Sequence, residues 1–194
     1  TLSSVFMVVY NKKKQIVEAG YKYVMVCSLG LAFAMLATIL LYSSGGILFT
    51  DLIDKKIDPL TMKVIFILAL VGFGTKAGLV PTHTWLPDAH AQGPSPTSAV
   101  LSGIVLKVAM LALIRYYFIA ANSVGMEFVM DTMLVSGVIT LYVAGYFLVT
   151  QHDVKRMLAY HSVVHMGVIA FALGVGGKIG VAAALFHCLA HSLS

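Results

Sequence analysis

The sequence contains very little charge. Aspartate, glutamate, lysine and arginine together make up 11% of the 194 residues, whereas a soluble domain typically carries about 25%. The charged residues lie mostly in short connectors, so the runs between them are continuously apolar. This pattern argues against an ordinary soluble domain. We expect the net charge of +5 to reflect basic loops on one side of a membrane, and not a surface that binds nucleic acid.

Cysteines and cofactor motifs are also scarce. The two cysteines, Cys27 and Cys188, lie in apolar runs, and neither belongs to a CxxC pair. We interpret them as small apolar side chains and expect no disulfide between them. There is no GxGxxG after a strand, no phosphate-binding loop and no nucleophile elbow. We therefore expect no nucleotide, haem or iron–sulfur cluster in this chain, and we expect any redox chemistry to belong to partner subunits.

What the sequence has instead is long apolar runs, with 59% hydrophobic residues. About 20 apolar residues are needed to cross a bilayer as a helix. The sequence therefore predicts an all-α, polytopic transmembrane helix bundle that forms a single domain over residues 1–194. We predict full spans at about 21–43, 59–80, 97–119, 130–150 and 157–174, and partial spans at about 1–10 and from 179 onward. Because both ends lie in apolar runs, we also expect the chain to be an interior part of a larger membrane subunit.

One predicted span is interrupted. Pro81 removes a backbone donor and clashes with the preceding turn, so the helix that begins near Pro59 should kink or unwind there. Glycines at positions 72, 74 and 78 precede the break. The following HTWLPDAH predicts a short polar re-entrant segment, in which Trp85 could anchor at the interface and Asp88 could cap a turn or pair with a lysine. We interpret His83, Trp85, Asp88 and His90 as structural residues.

The basic residues divide between the two sides of the predicted membrane. On one side lie Lys12, Lys13, Lys14, Lys22, Lys155 and Arg156; nearer the other lie Lys55, Lys56, Lys63, Arg115 and Lys178. The tight clusters at 12–14 and 155–156 favour the first side as cytoplasmic. The connector 47–61 mixes acidic, basic and apolar residues and predicts an amphipathic segment at the interface.

Two lysines, Lys76 and Lys107, lie inside apolar runs. A cation near the bilayer centre costs about 2.5–3.5 kcal/mol on insertion scales, so both call for a reason. Lys107 lies about 16 Å along its helix from Pro96, and Ser102 and Gly103 nearby would let a water chain or another helix approach. We interpret both lysines as members of an ion or proton pathway. The alternatives are a static ion pair for either lysine or, for Lys76, an amine that reaches the interface.

Two histidine pairs have i,i+4 spacing, which places both members on one helix face. His187 and His191 favour proton relay over metal binding, since the sequence has neither the glutamate of HExxH nor an evident third ligand. For His161 and His165 a proton entrance and an ordinary polar helix end remain equally good interpretations.

The stretch GFGTKAGLVPTHTWLPDAHAQGPSPTSAVLSGIVLKVAMLALIR resembles the signature of the proton-conducting antiporter-like membrane subunits. That family includes large membrane subunits of respiratory complex I, multisubunit sodium/proton antiporters, membrane-bound hydrogenases and formate hydrogenlyases. TLSSVFMVVYNKKKQIVEAGYKY, DVKRMLAYHSVVHMG and ALFHCLAHSLS match as well, so the resemblance covers nearly the whole chain. The threonine before Lys76 and the histidine in DAH are most similar to the hydrogenase-4 and formate hydrogenlyase branch, with complex I next.

The resemblance implies a role for each matching residue. Lys76 would be the lysine of the broken helix, Lys107 the central lysine of the proton axis, and His187 and His191 the residues that carry the axis onward. The family has a glutamate just before the TLSS-like stretch, where it pairs with the lysine of the broken helix, and it usually has a lysine after the HSLS-like turn. Neither falls within this sequence, and Glu18, which we place in a connector, does not match that glutamate.

The implied function is proton translocation in a redox-driven complex of the prokaryotic cell (inner) membrane. The implied partners are the lipid bilayer, other membrane subunits and peripheral redox subunits, with iron–sulfur, NiFe or flavin groups held only by those partners. The alternative is a stand-alone or multisubunit sodium/proton antiporter, although the predicted spans contain no buried Asp or Glu for sodium. An inert helical scaffold would not explain two lysines at bilayer depth.

Overall fold

A computed structural model describes residues 2–11, 13–46 and 48–193. Every regular element in these residues is helical, and five helical segments are long and apolar enough to cross a membrane. The predicted all-α polytopic bundle is confirmed. The spanning segments are Lys14–Gly45, Pro59–Gln92, Ser95–Val124, Met126–Thr150 and Val154–Val175, and the shorter apolar helix Gly177–Leu193 follows.

The described residues form ten α-helices, and short stretches of other helix types lead into two of them. They are α1 (Leu2–Val8), α2 (Lys14–Gly45), α3 (Phe49–Asp54), α4 (Pro59–Ala77), α5 (Trp85–Gln92), α6 (Ser95–Val100), α7 (Leu106–Val124), α8 (Met126–Thr150), α9 (Val154–Val175) and α10 (Gly177–Leu193). A 3₁₀ turn (Thr82–Thr84) leads into α5, and a π-helical turn (Leu101–Val105) joins α6 to α7. Helix α2 begins earlier than predicted, so Glu18 lies in this helix and not in a connector.

Helix α4 begins at a capping carboxylate and ends at a glycine in a left-handed conformation. At its start the Asp58 carboxylate accepts hydrogen bonds from the Thr61 backbone N–H and hydroxyl (both 3.0 Å), and Pro59 follows as the first helical residue. These bonds stabilise the charged carboxylate and lower the pKa of Asp58. At its end Gly78 takes a left-handed conformation (φ 81°), and Leu79 N–H donates to the Gly74 carbonyl (2.8 Å).

The predicted break before Pro81 is confirmed, but the prediction of a polar re-entrant segment is wrong. The HTWLPDAH stretch is helical, and α5 packs between α2 and α9. Asp88 of α5 contacts Lys22 and Arg156, which the sequence placed on the side opposite the start of α4. Helices α4 and α5 are therefore two halves of one crossing, from Pro59 to Gln92.

Contacts at the two ends of the bundle agree with the predicted division of basic residues. Lys22 and Arg156 share one carboxylate, so they lie at the same end. At the other end α3 packs on α7, where the Arg115 guanidinium lies 5.8 Å from the Phe49 ring centroid. Helix α3 lies in the connector predicted to be interfacial. Lys12, which the sequence assigned to the first side, is outside the described residues.

Small residues bring helices α8 and α9 together. Gly137 of α8 faces the α9 backbone, and a Cβ placed on it would lie 2.8 Å from Phe171 Cα. Such close backbone approach is typical of membrane helix interfaces, where small residues leave room for the neighbouring helix. Gly145, two turns further along α8, has none of the described residues within 4 Å of the corresponding Cβ position.

We expect Gly137→Ala to destabilise the bundle by about 1–3 kcal/mol, because an added methyl group would push α9 away. Gly145→Ala is the matched control on the same helix and should leave stability unchanged. The unfolding temperature of each variant in detergent would be measured from the loss of the monodisperse peak in size-exclusion chromatography after heating. Equal unfolding temperatures for the two variants would contradict the packing described here.

Candidate functional site

Lys76 lies in the last turn of α4 and is half-buried. Its Nζ donates to the Tyr23 hydroxyl oxygen at 2.5 Å and lies 4.5 Å from the centroid of the same ring. The Trp85 ring is 5.6 Å from the same nitrogen. In the part of the chain that the structure describes, no carboxylate pairs with Lys76. The amine is thus held by a neutral hydroxyl and aromatic faces.

Trp85 is a core residue, so its prediction as an interfacial anchor is wrong. The side chain is fully buried, and its indole N–H donates to the Thr75 carbonyl at 2.8 Å. Carbonyls in the last turn of a helix lack the usual donor four residues later. The indole therefore satisfies a carbonyl that the helix break leaves available, while its ring packs 4.6 Å from that of Tyr23.

Lys107 lies one residue into α7, immediately after the π-helical turn. Its Nζ donates to the Ser102 carbonyl at 2.8 Å and contacts His191 Nδ1 at 2.5 Å. A single-turn π-bulge changes the partners of backbone carbonyls and often occurs at functional sites. The amine and the imidazole share a hydrogen bond in which either nitrogen can hold the proton, depending on the protonation state of the lysine and the tautomer of the histidine.

The structure joins the two predicted histidine pairs into one group. His165 Nδ1 lies 2.8 Å from His187 Nε2, and the His165 ring centroid is 4.3 Å from those of both His161 and His191. His165, which the sequence left between two interpretations, thus lies at the centre of the group. His161 is exposed at one edge. Among the described residues no three His, Cys, Asp or Glu side chains are arranged to hold a metal ion.

Two cavities reach Ser102, the residue whose carbonyl accepts from Lys107 Nζ. Lys155, Ser98 and His90 line a cavity of about 240 Å³, and His161, His165 and His191 line one of about 410 Å³. Both cavities include Ser102 and Ser162, whose hydroxyl oxygens are 3.3 Å apart. We call these two residues the serine junction.

His90, which lines the smaller cavity, has a buried ring nitrogen without a partner in the described protein. His90 is 6% exposed, and its Nε2 makes no hydrogen bond to the described residues. Buried nitrogens of this kind are commonly satisfied by ordered water when the surrounding space is polar and large enough. Serines and His90 line part of this cavity, and its volume of about 240 Å³ is large enough to hold water.

An ion cluster fastens α5 to two neighbouring helices. Asp88, 18% exposed, accepts from Lys22 of α2 (3.1 Å) and from Arg156 of α9, and Lys22 also pairs with Glu18 (3.0 Å). The prediction that Asp88 pairs with a lysine is confirmed, and α5 receives no side-chain cap from Asp88. His83 is buried, 6% exposed, beside the start of the same half-helix.

Sequence reasoning missed Tyr23, Ser162 and the Arg156 contact. Tyr23 is separated from Lys76 by 53 residues and Ser162 from Ser102 by 60. No spacing rule connects residues on helices so far apart in the chain. The one available signal was that Ser162 lies three residues before His165, on the same face of its helix.

We expect Asp88→Asn to loosen α5 without unfolding the bundle. The neutral amide weakens both ion pairs, which are partly screened because Lys22 and Arg156 are about half exposed. Hydrogen–deuterium exchange of residues 85–92 should rise about fivefold, equivalent to about 1 kcal/mol. Asp54→Asn, which changes an exposed carboxylate at the far end of the bundle, is the control. Unchanged exchange in Asp88→Asn would mean that the cluster does not hold α5.

Comparison with known proteins relates this geometry to characterised families. A family model described as "NADH:quinone oxidoreductase/Mrp antiporter, TM" matches residues 1–194. The hydrogenase-4 component F homolog of Methylacidiphilum infernorum is 37% identical over 206 aligned residues, which cover 100% of this chain and 43% of that protein. NADH-quinone oxidoreductase subunit M of Rickettsia conorii is 31% identical, with 93% of this chain and 37% of that protein covered.

A solved structure shows the same arrangement of helices. A chain of the membrane-bound sulfane sulfur reductase (MBS), an archaeal respiratory membrane complex, aligns with a TM-score of 0.90 and 29% sequence identity. The alignment covers 99% of this chain and 40% of that one. This chain therefore spans less than half the length of the proteins that it is similar to.

Proposed function

Because this chain belongs to the NADH:quinone oxidoreductase/Mrp antiporter family of membrane subunits, as its motifs predicted, we propose that it translocates protons. We further propose that it does so within a redox-driven complex of the hydrogenase or NADH-quinone oxidoreductase type. The observation that carries this proposal is the 2.5 Å contact between Lys107 Nζ and His191 Nδ1 inside an apolar span. A charged amine at that depth is costly, and ionisable residues inside membrane spans usually mark ion or proton pathways.

The histidine group gives the proton a route away from Lys107. Imidazole can accept a proton at one ring nitrogen and release one from the other. A proton on Lys107 can therefore pass to His191, and from there to His165 and His187, whose facing nitrogens are 2.8 Å apart. Ring rotation or an intervening water would cover the step between His191 and His165, whose ring centroids are 4.3 Å apart.

Lys76 would control this relay through its charge. Helix α4, which carries Lys76, packs directly on α7, which carries Lys107. Two unit charges about 8 Å apart interact by about 2 kcal/mol at an effective dielectric of about 20. That energy exceeds the equivalent of one pKa unit, so movement of one charge is enough to bias proton exchange at the other.

The serine junction would admit protons from the end of the bundle that carries Lys155. Water in the smaller cavity would lie beside His90, and Ser102 and Ser162 line both this cavity and the larger one. The Ser102 carbonyl also accepts from Lys107 Nζ. A proton that reaches the serine junction is thus one hydrogen bond from the proposed relay.

We propose the prokaryotic cell (inner) membrane as the location, with other membrane subunits and peripheral redox subunits as partners. The relatives described above come from complexes of this kind by name and support the proposal. Iron–sulfur, NiFe or flavin groups would belong to the peripheral partners. Protons are preferred over sodium, because among the described residues neither Lys76 nor Lys107 lies beside a carboxylate that could bind a sodium ion.

We expect Lys76→Ala and Lys107→Ala each to abolish proton pumping while the complex still assembles. Lys63→Ala is the matched control: it removes a lysine from the same helix as Lys76, but one that is exposed and lies over the Phe128 ring. Fluorescence quenching of a pH-sensitive dye in inverted native membrane vesicles would measure pumping, and native gel electrophoresis would measure assembly.

Pumping at the parental rate in both lysine variants would overturn the proton-relay function. Pumping that is lost in the parent when sodium is removed, and restored by adding it, would instead support the sodium/proton antiporter. The pumping measurements with and without sodium use the same vesicles and differ only in the external cation.

We expect Ser162→Val to slow pumping several-fold, because the larger apolar side chain would fill the serine junction and remove one hydroxyl. Ser162→Ala keeps the space open and should slow pumping less. Ser43→Val, at an exposed position near the end of α2, controls for a general effect of valine. Parental rates in Ser162→Val would exclude the serine junction as the entrance.

A further inference from the structure

We propose that Thr140 of α8 is the positioning residue of the helix break, the segment of residues 78–84 between α4 and α5. Its hydroxyl oxygen accepts a hydrogen bond from the Val80 backbone N–H at 3.2 Å, and this bond fixes where α4 ends beside Lys76. The inference rests on the proposed proton-translocating function and deepens it. Thr140 lies 60 residues from Val80 in the chain, and none of the sequence motifs includes it.

The backbone donors of the helix break need partners inside the protein. In the hydrocarbon layer no water is available to irregular backbone, so such segments occur only where the protein satisfies their polar groups. The N–H groups of residues 78 and 79 donate to carbonyls in the last turn of α4, at 3.3 and 2.8 Å, and Pro81 has no N–H. Val80 therefore carries the donor that α4 does not satisfy, and Thr140 satisfies it.

The same donor determines whether α4 continues beyond Ala77. In an α-helix each N–H donates to the carbonyl four residues earlier, so a continuous helix would pair the Val80 N–H with the Lys76 carbonyl. In the structure the Val80 N–H donates to α8 instead. Thr140 thus takes the donor that would otherwise extend α4, and Lys76 stays in the last turn of the helix.

The side chain of Thr140 is held in the orientation that this bond requires. It is completely buried, and its hydroxyl donates to the Ser136 carbonyl one turn earlier in α8, at 2.7 Å. Because the hydroxyl proton points to that carbonyl, the oxygen lone pairs are free to accept from Val80. The methyl group lies against α9, where a Cβ placed on Gly167 would be 3.1 Å from Thr140 Cγ2. Neighbouring groups therefore fix both branches of the side chain.

Thr140 lies deep within its span, where solvent cannot replace the hydroxyl. Met126 and Thr150, the first and last residues of α8, lie about 21 Å and 15 Å away along the helix axis. A backbone donor that loses its partner at this depth is costly, so the helix break would rearrange to satisfy Val80. Because residues 78–84 join α4 to α5, that rearrangement would move Lys76 relative to Trp85, whose ring centroid lies 5.6 Å from the amine.

The test is Thr140→Val in the native complex. Valine keeps the size of the side chain and its buried methyl group but removes the hydrogen-bond acceptor. We expect amide exchange of residues 78–84 to rise about tenfold, and pumping per assembled complex to slow several-fold because Lys76 loses its fixed position. Thr140→Ser keeps the hydroxyl and should recover most of the parental exchange and pumping. Hydrogen–deuterium exchange of the purified complex and dye quenching in inverted vesicles would measure the two effects.

Thr132→Val is the matched control. Thr132 lies about two turns earlier on α8, and its hydroxyl donates to the Phe128 carbonyl of the same helix at 2.7 Å. This variant therefore removes a hydroxyl that is bonded within α8 and leaves the bond to Val80 in place. It should match the parent both in the exchange of residues 78–84 and in pumping.

Parental exchange and pumping in Thr140→Val would overturn the proposal, and so would fast exchange of residues 78–84 in the parent itself. Less assembled complex with parental pumping per complex would mean that Thr140 only stabilises the bundle, which also overturns it. If Thr140→Val does not assemble, Thr140→Ala removes the hydroxyl with less bulk, and parental exchange and pumping there would overturn the proposal. Parental pumping in Lys76→Ala would instead reject the proposed function, while the exchange of residues 78–84 would still test the bond to Thr140.

Discussion

The structure depends on holding positive charge within an apolar helix bundle without a carboxylate partner among the described residues. Lys107 shares its amine between a backbone carbonyl and an imidazole, and Lys76 shares its amine between a phenol and aromatic rings. Neutral partners of this kind stabilise the ammonium enough to offset part of the insertion cost. They also leave it able to give up its proton, which a permanent ion pair would oppose.

The interrupted crossing makes these neutral partners available. Because α4 ends at Ala77, the Thr75 carbonyl is open to the Trp85 indole, and Trp85 in turn supports Tyr23 beside Lys76. The π-helical turn does the same for Lys107, since it places the Ser102 carbonyl within reach of the amine. Each lysine therefore lies next to a departure from regular α-helix, and the ion cluster at Asp88 keeps the second half of the broken helix against its neighbours.

Much of this arrangement could be predicted from the sequence. Continuous apolar runs predicted the five crossings, and Pro81 with its preceding glycines predicted the break. The position of Lys76 and Lys107 within apolar runs predicted that both belong to a proton pathway, and i,i+4 spacing predicted that each histidine pair shares a helix face. The rest required distances between helices that are remote in the chain: the position of His165 between His187 and His191, the serine junction and Tyr23. Trp85 was misplaced because an aromatic residue after a proline break is equally compatible with an interface and with a core position.

The most direct test of this account is the protonation of Lys107 in the native membrane. Solid-state nitrogen NMR of lysine- and histidine-labelled protein would follow the Lys107 amine and the His191 ring across pH and after transfer to deuterated water. The account predicts that both groups change protonation together within the working pH range and exchange with solvent. An amine that stays charged at every pH, does not exchange and lies against a permanent carboxylate would contradict it.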